Sequence, residues 1–117
     1  MVAMEHCEIP RWQLIKNQLN NLDFEGFVEA FQKEENAICL DVRTEAEYAQ
    51  WHIDGAQNLS YLSTTLADDL EQLNPKKTYF VYCRTSRRSL RICQLMRNSG
   101  FQDVYHLKDG IKKHLGE

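Results

Sequence analysis

Nothing in this 117-residue chain approaches the run of about 20 apolar residues that spans a bilayer, so no membrane partner is expected. An excess of positive charge is missing too. The 14 Lys and Arg stand against 17 Asp and Glu, a net charge of −3, and the chain as a whole does not read as a nucleic-acid binder. Its opening, Met1-Val2-Ala3-Met4-Glu5-His6, has no basic stretch ahead of an apolar core, so no secretory signal is expected. The four cysteines, Cys7, Cys39, Cys83 and Cys93, fall at spacings that suit neither a disulfide framework nor paired zinc ligands. No metal is expected, and the compartment reads as reducing and cytoplasmic. Internal repeats and low-complexity segments are absent as well.

What is present is ordinary globular material, 43% hydrophobic and 26% charged, enough for one domain with its own core. Residues 1–22 read as an N-terminal extension: Pro10 can open a helix in which Trp12, Ile15, Leu19 and Leu22 recur at helical spacing and pack on the domain. The domain itself reads as 23–117. Asp23 is a natural N-cap for a helix burying Phe24, Phe27, Val28 and Phe31. Ala37 to Val42 is a continuous apolar strand of the kind buried in parallel sheets, with Cys39 inside it as a core residue.

Asp41 at that strand's end needs a partner. Arg43 would point to the opposite face if the strand continued; the two are expected instead to turn into loop geometry and each to be hydrogen-bonded there. Thr44 and Glu47 form a capping box for a short helix, and Gly55 supplies a turn. A short strand or bridge is expected near Asn58 to Tyr61. A helix capped by Ser63 follows, with Leu62, Leu66, Leu70 and Leu73 on one side, ending at Asn74-Pro75. Thr78 to Tyr82 is a buried strand, Leu90 to Ser99 a helix stopped by Gly100, Asp103 to Leu107 a last strand, and Ile111 to Leu115 a final short helix. This alternation predicts an α/β fold, a three-layer sandwich with a small parallel sheet flanked by helices.

Between the strand Thr78 to Tyr82 and the helix after it lies Cys83-Arg84-Thr85-Ser86-Arg87-Arg88-Ser89, the stretch with chemistry in it. Open α/β sheets hold ligands at strand carboxyl ends. The turn there presents amide N–H groups without helical partners, and the helix dipole adds positive potential. Arg84, Arg87, Arg88 and Arg91 add four guanidinium groups. All three features favour thiolate over thiol, in the electropositive, partly exposed setting typical of reactive cysteines. Cys83 is thus predicted to be a nucleophile in a cup built for anions. The plainer alternative, a small buried apolar residue, leaves the arginines around it unexplained.

Two stretches together resemble the rhodanese (sulfurtransferase) family. Leu40-Asp41-Val42-Arg43, then Glu45-Ala46-Glu47-Tyr48 and His52-Ile53-Asp54-Gly55-Ala56-Gln57-Asn58, is similar to the family's first signature, with Trp51 where glycine is usual. Cys83 to Ser89 is similar to its active-site loop, with Ser86 where glycine is frequent. The resemblance implies a rhodanese-like fold and a Cys83 persulfide that carries a sulfane sulfur from a small anionic donor such as thiosulfate to a thiol, cyanide or protein acceptor. It implies that amides from Arg84 through Thr85, Ser86, Arg87 and Arg88 to Ser89 cradle the sulfur while Arg84, Arg87 and Arg88 draw in the donor. Asp41, Arg43 and His52 become scaffold, and no cofactor is required. If Ser86 adopts a left-handed backbone, serine there costs about 1–2 kcal/mol.

Two other readings compete. A binding module on the same scaffold would be marked by loss of the cysteine, which is present. A cysteine-dependent phosphatase or arsenate reductase has five residues between cysteine and arginine, whereas four lie between Cys83 and Arg88. The tighter loop suits one sulfur better than a tetrahedral oxyanion. Cys93 falls on the apolar side of its helix with Leu90 and Met96, as a core residue.

Overall fold

The β-branched and aromatic run Thr78–Tyr82 becomes the central strand of a five-stranded parallel sheet, with every residue buried. The structure, a computed structural model, describes residues 20–116. The strands are β1 (Asn20–Leu22), β2 (Ala37–Asp41), β3 (Gln57–Asn58), β4 (Thr78–Tyr82) and β5 (Asp103–Leu107), ordered β1-β5-β4-β2-β3. In the parallel register Cys39 lies opposite Phe80 and Val81 opposite His106. The helices are α1 (Phe24–Lys33), α2 (Glu45–Gln50), α3 (Leu66–Glu71) and α4 (Arg87–Asn98).

Alternation along the strands divides the core into two layers. Tyr79, Val81 and Val104 face one way and pack with Leu90, Ile92, Cys93 and Met96 of α4, and with Leu66 and Leu70 of α3. Phe80, Tyr82, Cys39 and Leu107 face the other way, toward Phe27 of α1 and Tyr48 of α2. The result is the expected three-layer α/β sandwich. Phe27 anchors the second layer, its ring edge-on to Phe80 at 5.6 Å and to Tyr82 at 6.0 Å. The Asp23 side chain accepts from Gly26 N at 2.8 Å, the predicted cap of α1. Thr44 and Glu47 complete the capping box of α2.

Four expectations are corrected. Asn20–Leu22 are a strand rather than the end of a helix, because β5 would otherwise show water an unpaired edge; Leu22 O accepts from Lys108 N at 2.7 Å. The sheet therefore begins before residue 23, and the rest of the predicted N-terminal helix, with Trp12, Ile15 and Leu19, lies outside the described residues. Ser63 does not cap α3. Its hydroxyl is taken by Thr65 N at 3.2 Å, and Leu62 is 62% exposed, off the stripe of Leu66, Leu70 and Leu73. The strand near residue 58 is confined to Gln57–Asn58, after which Tyr61 N bonds Val42 O at 3.1 Å and the chain turns off the sheet. Residues 112–116 form turns, not a helix, held against the loop after β4.

Emptying the centre of the second layer should be costly. Phe27→Ala is expected to lower unfolding free energy by about 3–5 kcal/mol in denaturant titration, whereas Leu95→Ala, on the open face of α4, should change it by less than about 0.5 kcal/mol.

Candidate active site

β4 ends at Tyr82, and the next residue, Cys83, opens a tight loop that becomes α4 at Arg87. The Ser86 amide N–H points at Cys83 Sγ from 3.1 Å and the Ser89 amide from 3.4 Å. These are N–H groups that the first turn of a helix leaves without carbonyl partners, and here the sulfur takes them. Aiming them inward requires Ser86 to adopt φ 81°, the left-handed region, as the departure from glycine implied. It is the one non-glycine residue with positive φ among the described residues. The Cys83 thiol lies 3.2 Å from Ser89 Oγ, which is also 3.0 Å from Ser86 O.

The loop is clamped from outside by the turn after β5. Ile111 N donates to Cys83 O at 3.0 Å and Lys112 N to Arg84 O at 2.9 Å. The intervening Gly110 sits so close that a Cβ there would lie 2.3 Å from Arg84 O, with φ at 72°. Only glycine admits this contact. Wrapped in this way, Cys83 is 1% exposed, which corrects the partly exposed setting expected from sequence. The sulfur is nonetheless surrounded by hydrogen-bonding groups. At Cys39 and Cys93 burial pushes the thiols up, away from reactivity.

Around this enclosed sulfur the rim is basic. Arg84, Thr85, Arg87 and Arg88 are exposed, and Ser89 is buried. Arg88 lays its guanidinium over the Tyr61 ring at 4.1 Å, a cation–π contact that holds it at the rim. Among the described residues no group of three or more His, Cys, Asp or Glu could hold a metal ion, and no helix is long and apolar enough to cross a membrane.

Asp41 and Arg43 are both hydrogen-bonded at the end of β2, as expected, and their partners are each other rather than groups on opposite faces. Residues two apart on extended backbone point to the same face. Arg43 Nε donates to Asp41 Oδ1 at 3.0 Å and Arg43 Nη2 to Oδ2 at 2.7 Å, with the pair almost wholly buried. Tyr82 donates its hydroxyl to the same carboxylate at 2.8 Å and accepts from Ile53 N at 3.0 Å. Asn58 Nδ2 bonds both Asp41 O and Arg43 O. Arg43 also reaches Trp51 O, so this one network ties the loop after β2 to the end of β4. Such a pair lends little net stability, but removing one partner strands the other charge, at a cost of about 3–5 kcal/mol. His52 stacks on Tyr48 at 3.8 Å and bonds Tyr48 O, within the same supporting shell.

The residue missed from sequence is His106. It is wholly buried on β5, with Nε2 2.7 Å from Ser89 Oγ. A titratable side chain at an inward position of an apolar strand was the available signal.

A family model described as "Rhodanese-like domain" matches residues 26–117. The chain is 32% identical over 99 residues to the uncharacterized protein YqhL of Bacillus subtilis, covering 85% of this chain and 75% of that one. It is 27% identical over 93 residues to a protein of Allochromatium vinosum named sulfurtransferase, covering 80% of this chain and 85% of that one. Other matched relatives are much longer, and the chain spans 16% of one and 18% of another. Among solved structures, the polysulfide-sulfur transferase homodimer of Wolinella succinogenes superposes with a TM-score of 0.74 at 22% identity, over 91% of this chain and 80% of that one, a likeness of fold.

Two glycine exchanges should act in opposite directions. Ser86→Gly relieves the left-handed serine and is expected to stabilise the protein by about 0.5–1 kcal/mol, read as a higher thermal midpoint. Gly110→Ala drives a methyl group into the loop backbone and should lower that midpoint. A stabilised Gly110→Ala would show that the clamp is slack.

Proposed function

The chain belongs to the rhodanese-like domain family, and from that premise we propose that it is a sulfurtransferase working through a persulfide on Cys83. The observation that carries this is the pair of amide N–H groups aimed at Sγ, beneath a rim of arginines. A sulfur that gains negative charge, or a terminal sulfur bonded to it, meets hydrogen-bond donors already in place and needs no reorganisation to be held.

In the first half-reaction the Cys83 thiolate attacks the outer sulfur of a donor such as thiosulfate. A sulfur–sulfur bond forms to Cys83, the donor's own sulfur–sulfur bond breaks, and sulfite leaves with the electron pair. In the second, a thiol, cyanide or acceptor protein attacks the terminal sulfur, and Cys83 departs as thiolate. Nucleophile, donor and acceptor balance the reaction without a further group, and the two halves give ping-pong kinetics. The arginine rim favours small anionic donors. With Cys83 almost wholly covered, the donor meets Arg84 and Arg87 first and reaches the sulfur when the side chains of the rim move aside.

The name of the Allochromatium relative supports the sulfurtransferase reading. Phosphoryl chemistry is less well served. It needs an arginine turned into the loop over a tetrahedral oxyanion, and Arg88 is engaged instead with Tyr61. A non-catalytic docking role would have no use for amides converging on a thiol. A reducing cytoplasm suits the reading, since Cys39, Cys83 and Cys93 are all free.

Incubation with thiosulfate should add the mass of one sulfur atom to the intact protein, mapped to Cys83, and cyanide should remove it as thiocyanate. Cys83→Ser should abolish both. Sulfur found only on Cys7, or on no residue, would defeat the proposal.

A further inference from the structure

Four polar side chains stand in file from the nucleophile to the edge of the sheet. Cys83 Sγ is 3.2 Å from Ser89 Oγ, Ser89 Oγ is 2.7 Å from His106 Nε2, and His106 Nδ1 is 3.0 Å from Asn21 Oδ1. Cys83 is 1% exposed, and Ser89 and His106 are 0% exposed. The parallel register sets Asn21 of β1 directly beside His106 of β5, while α4 lowers Ser89 onto the same face from above. An imidazole buried beside Val104 is tolerated when both its nitrogens are bonded, and both are. An amide oxygen only accepts, so Nδ1 carries the proton and Nε2 presents its lone pair to the Ser89 hydroxyl. The other acceptor at that hydroxyl is the Ser86 carbonyl at 3.0 Å, which is no base.

We propose that His106 is a positioning residue that takes up the Cys83 proton through the Ser89 hydroxyl and so turns that hydroxyl toward the thiolate. This rests on the reading of Cys83 as nucleophile. The Sγ–H bond breaks as its proton passes to Ser89 Oγ, and the proton already on Ser89 passes to Nε2. Thiol and imidazole become thiolate and imidazolium, with charge conserved and no further reactant. Nε2–H then donates to Ser89 Oγ, leaving the serine hydrogen free to join the Ser86 and Ser89 amides at the sulfur. The two charges form together, one hydroxyl apart, which offsets the desolvation each would suffer alone.

Among the described residues, the other titratable and charged groups on the packed elements leave this role to His106. On α4, Cys93 is held neutral by burial, Arg88 lies on Tyr61, and Arg87, Arg91 and Arg97 are exposed. In the loop, Arg84 is exposed. On β4, the Tyr79 hydroxyl donates to Asn74 O and the Tyr82 hydroxyl to Asp41. On β5 and its turn, Tyr105 stacks on Phe80 in the opposite layer, and Asp103, Lys108 and Asp109 are exposed. β1 carries no titratable side chain in its described residues.

The test is a pH titration of ultraviolet thiolate absorbance, with Cys83→Ser as the blank. His106→Gln keeps an acceptor for Ser89 but no ring to protonate. It should move the thiolate midpoint up by about one pH unit, a tenfold loss of thiolate at a given pH below the midpoint. Ser89→Ala should do the same, and the double variant no more than either alone, since both break one file. A merely structural histidine would change stability and leave the midpoint in place; a folded His106→Gln with an unmoved midpoint, or additive shifts, would overturn the proposal. Should the variants not fold, the wild-type protein decides by NMR. The His106 ring should keep its second proton while Cys83 is thiolate and release it at a higher pH than in Cys83→Ser, and a ring that titrates alike in both proteins would overturn the proposal equally. No sulfur donor enters these measurements, so their failure is distinct from a failure to form persulfide.

Discussion

Two backbone N–H groups converge on one sulfur atom, and the geometry of that convergence governs everything packed around Cys83. An amide cannot be aimed by choosing a side chain; the chain itself has to bend. The bend sets Ser86 at φ 81°, a conformation costing about 1–2 kcal/mol for an L-residue, and it persists because the surroundings leave the loop no alternative. From below, β4 delivers Cys83 at the carboxyl end of the central strand. From the side, Ile111 N and Lys112 N hold the carbonyls of Cys83 and Arg84. From above, α4 begins at once, supplying the Ser89 amide and its dipole.

The same economy runs through the buried polar groups. Asp41, Arg43, Tyr82 and Asn58 satisfy one another and the ends of two loops, so a network that lends little net stability fixes where β2, β3 and β4 stop. Ser89, His106 and Asn21 form a second network on the opposite side of the sheet, this one ending on the Cys83 sulfur. Among the described residues no buried side-chain nitrogen or oxygen lacks a partner. The first network secures the ends of the strands, and the second reaches Cys83. His52, stacked on Tyr48, belongs with the first.

Much of this was legible in the residues. The capping signals of α1 and α2 were read correctly because the side chain and the amide it accepts from lie within three residues of each other. Phe27 and the apolar side of α4 followed from helical spacing, and Thr78–Tyr82 from an unbroken apolar run. Misreadings arose where the deciding partner is distant in sequence. Helical spacing in the first residues hid the strand at Asn20–Leu22, which exists because β5 lies beside it some 85 positions later. Ser63 looked like a cap, but its hydroxyl turned to a nearer amide. That Asp41 and Arg43 are hydrogen-bonded follows from their charge, but that they bond each other depends on the extended backbone placing residues two apart on one face.

Sequence by itself determined the alternation of strands and helices, the position of Cys83 between β4 and α4, and the basic rim around it, since each depends on neighbours within a turn or a strand length. The tertiary structure alone decided that Cys83 is enclosed rather than partly exposed, that Gly110 presses on the loop, and that His106 meets Ser89. Those contacts join residues 17 to 26 positions apart, and chain neighbours carry no record of a distance that only the packing of β5 against β4 and α4 closes.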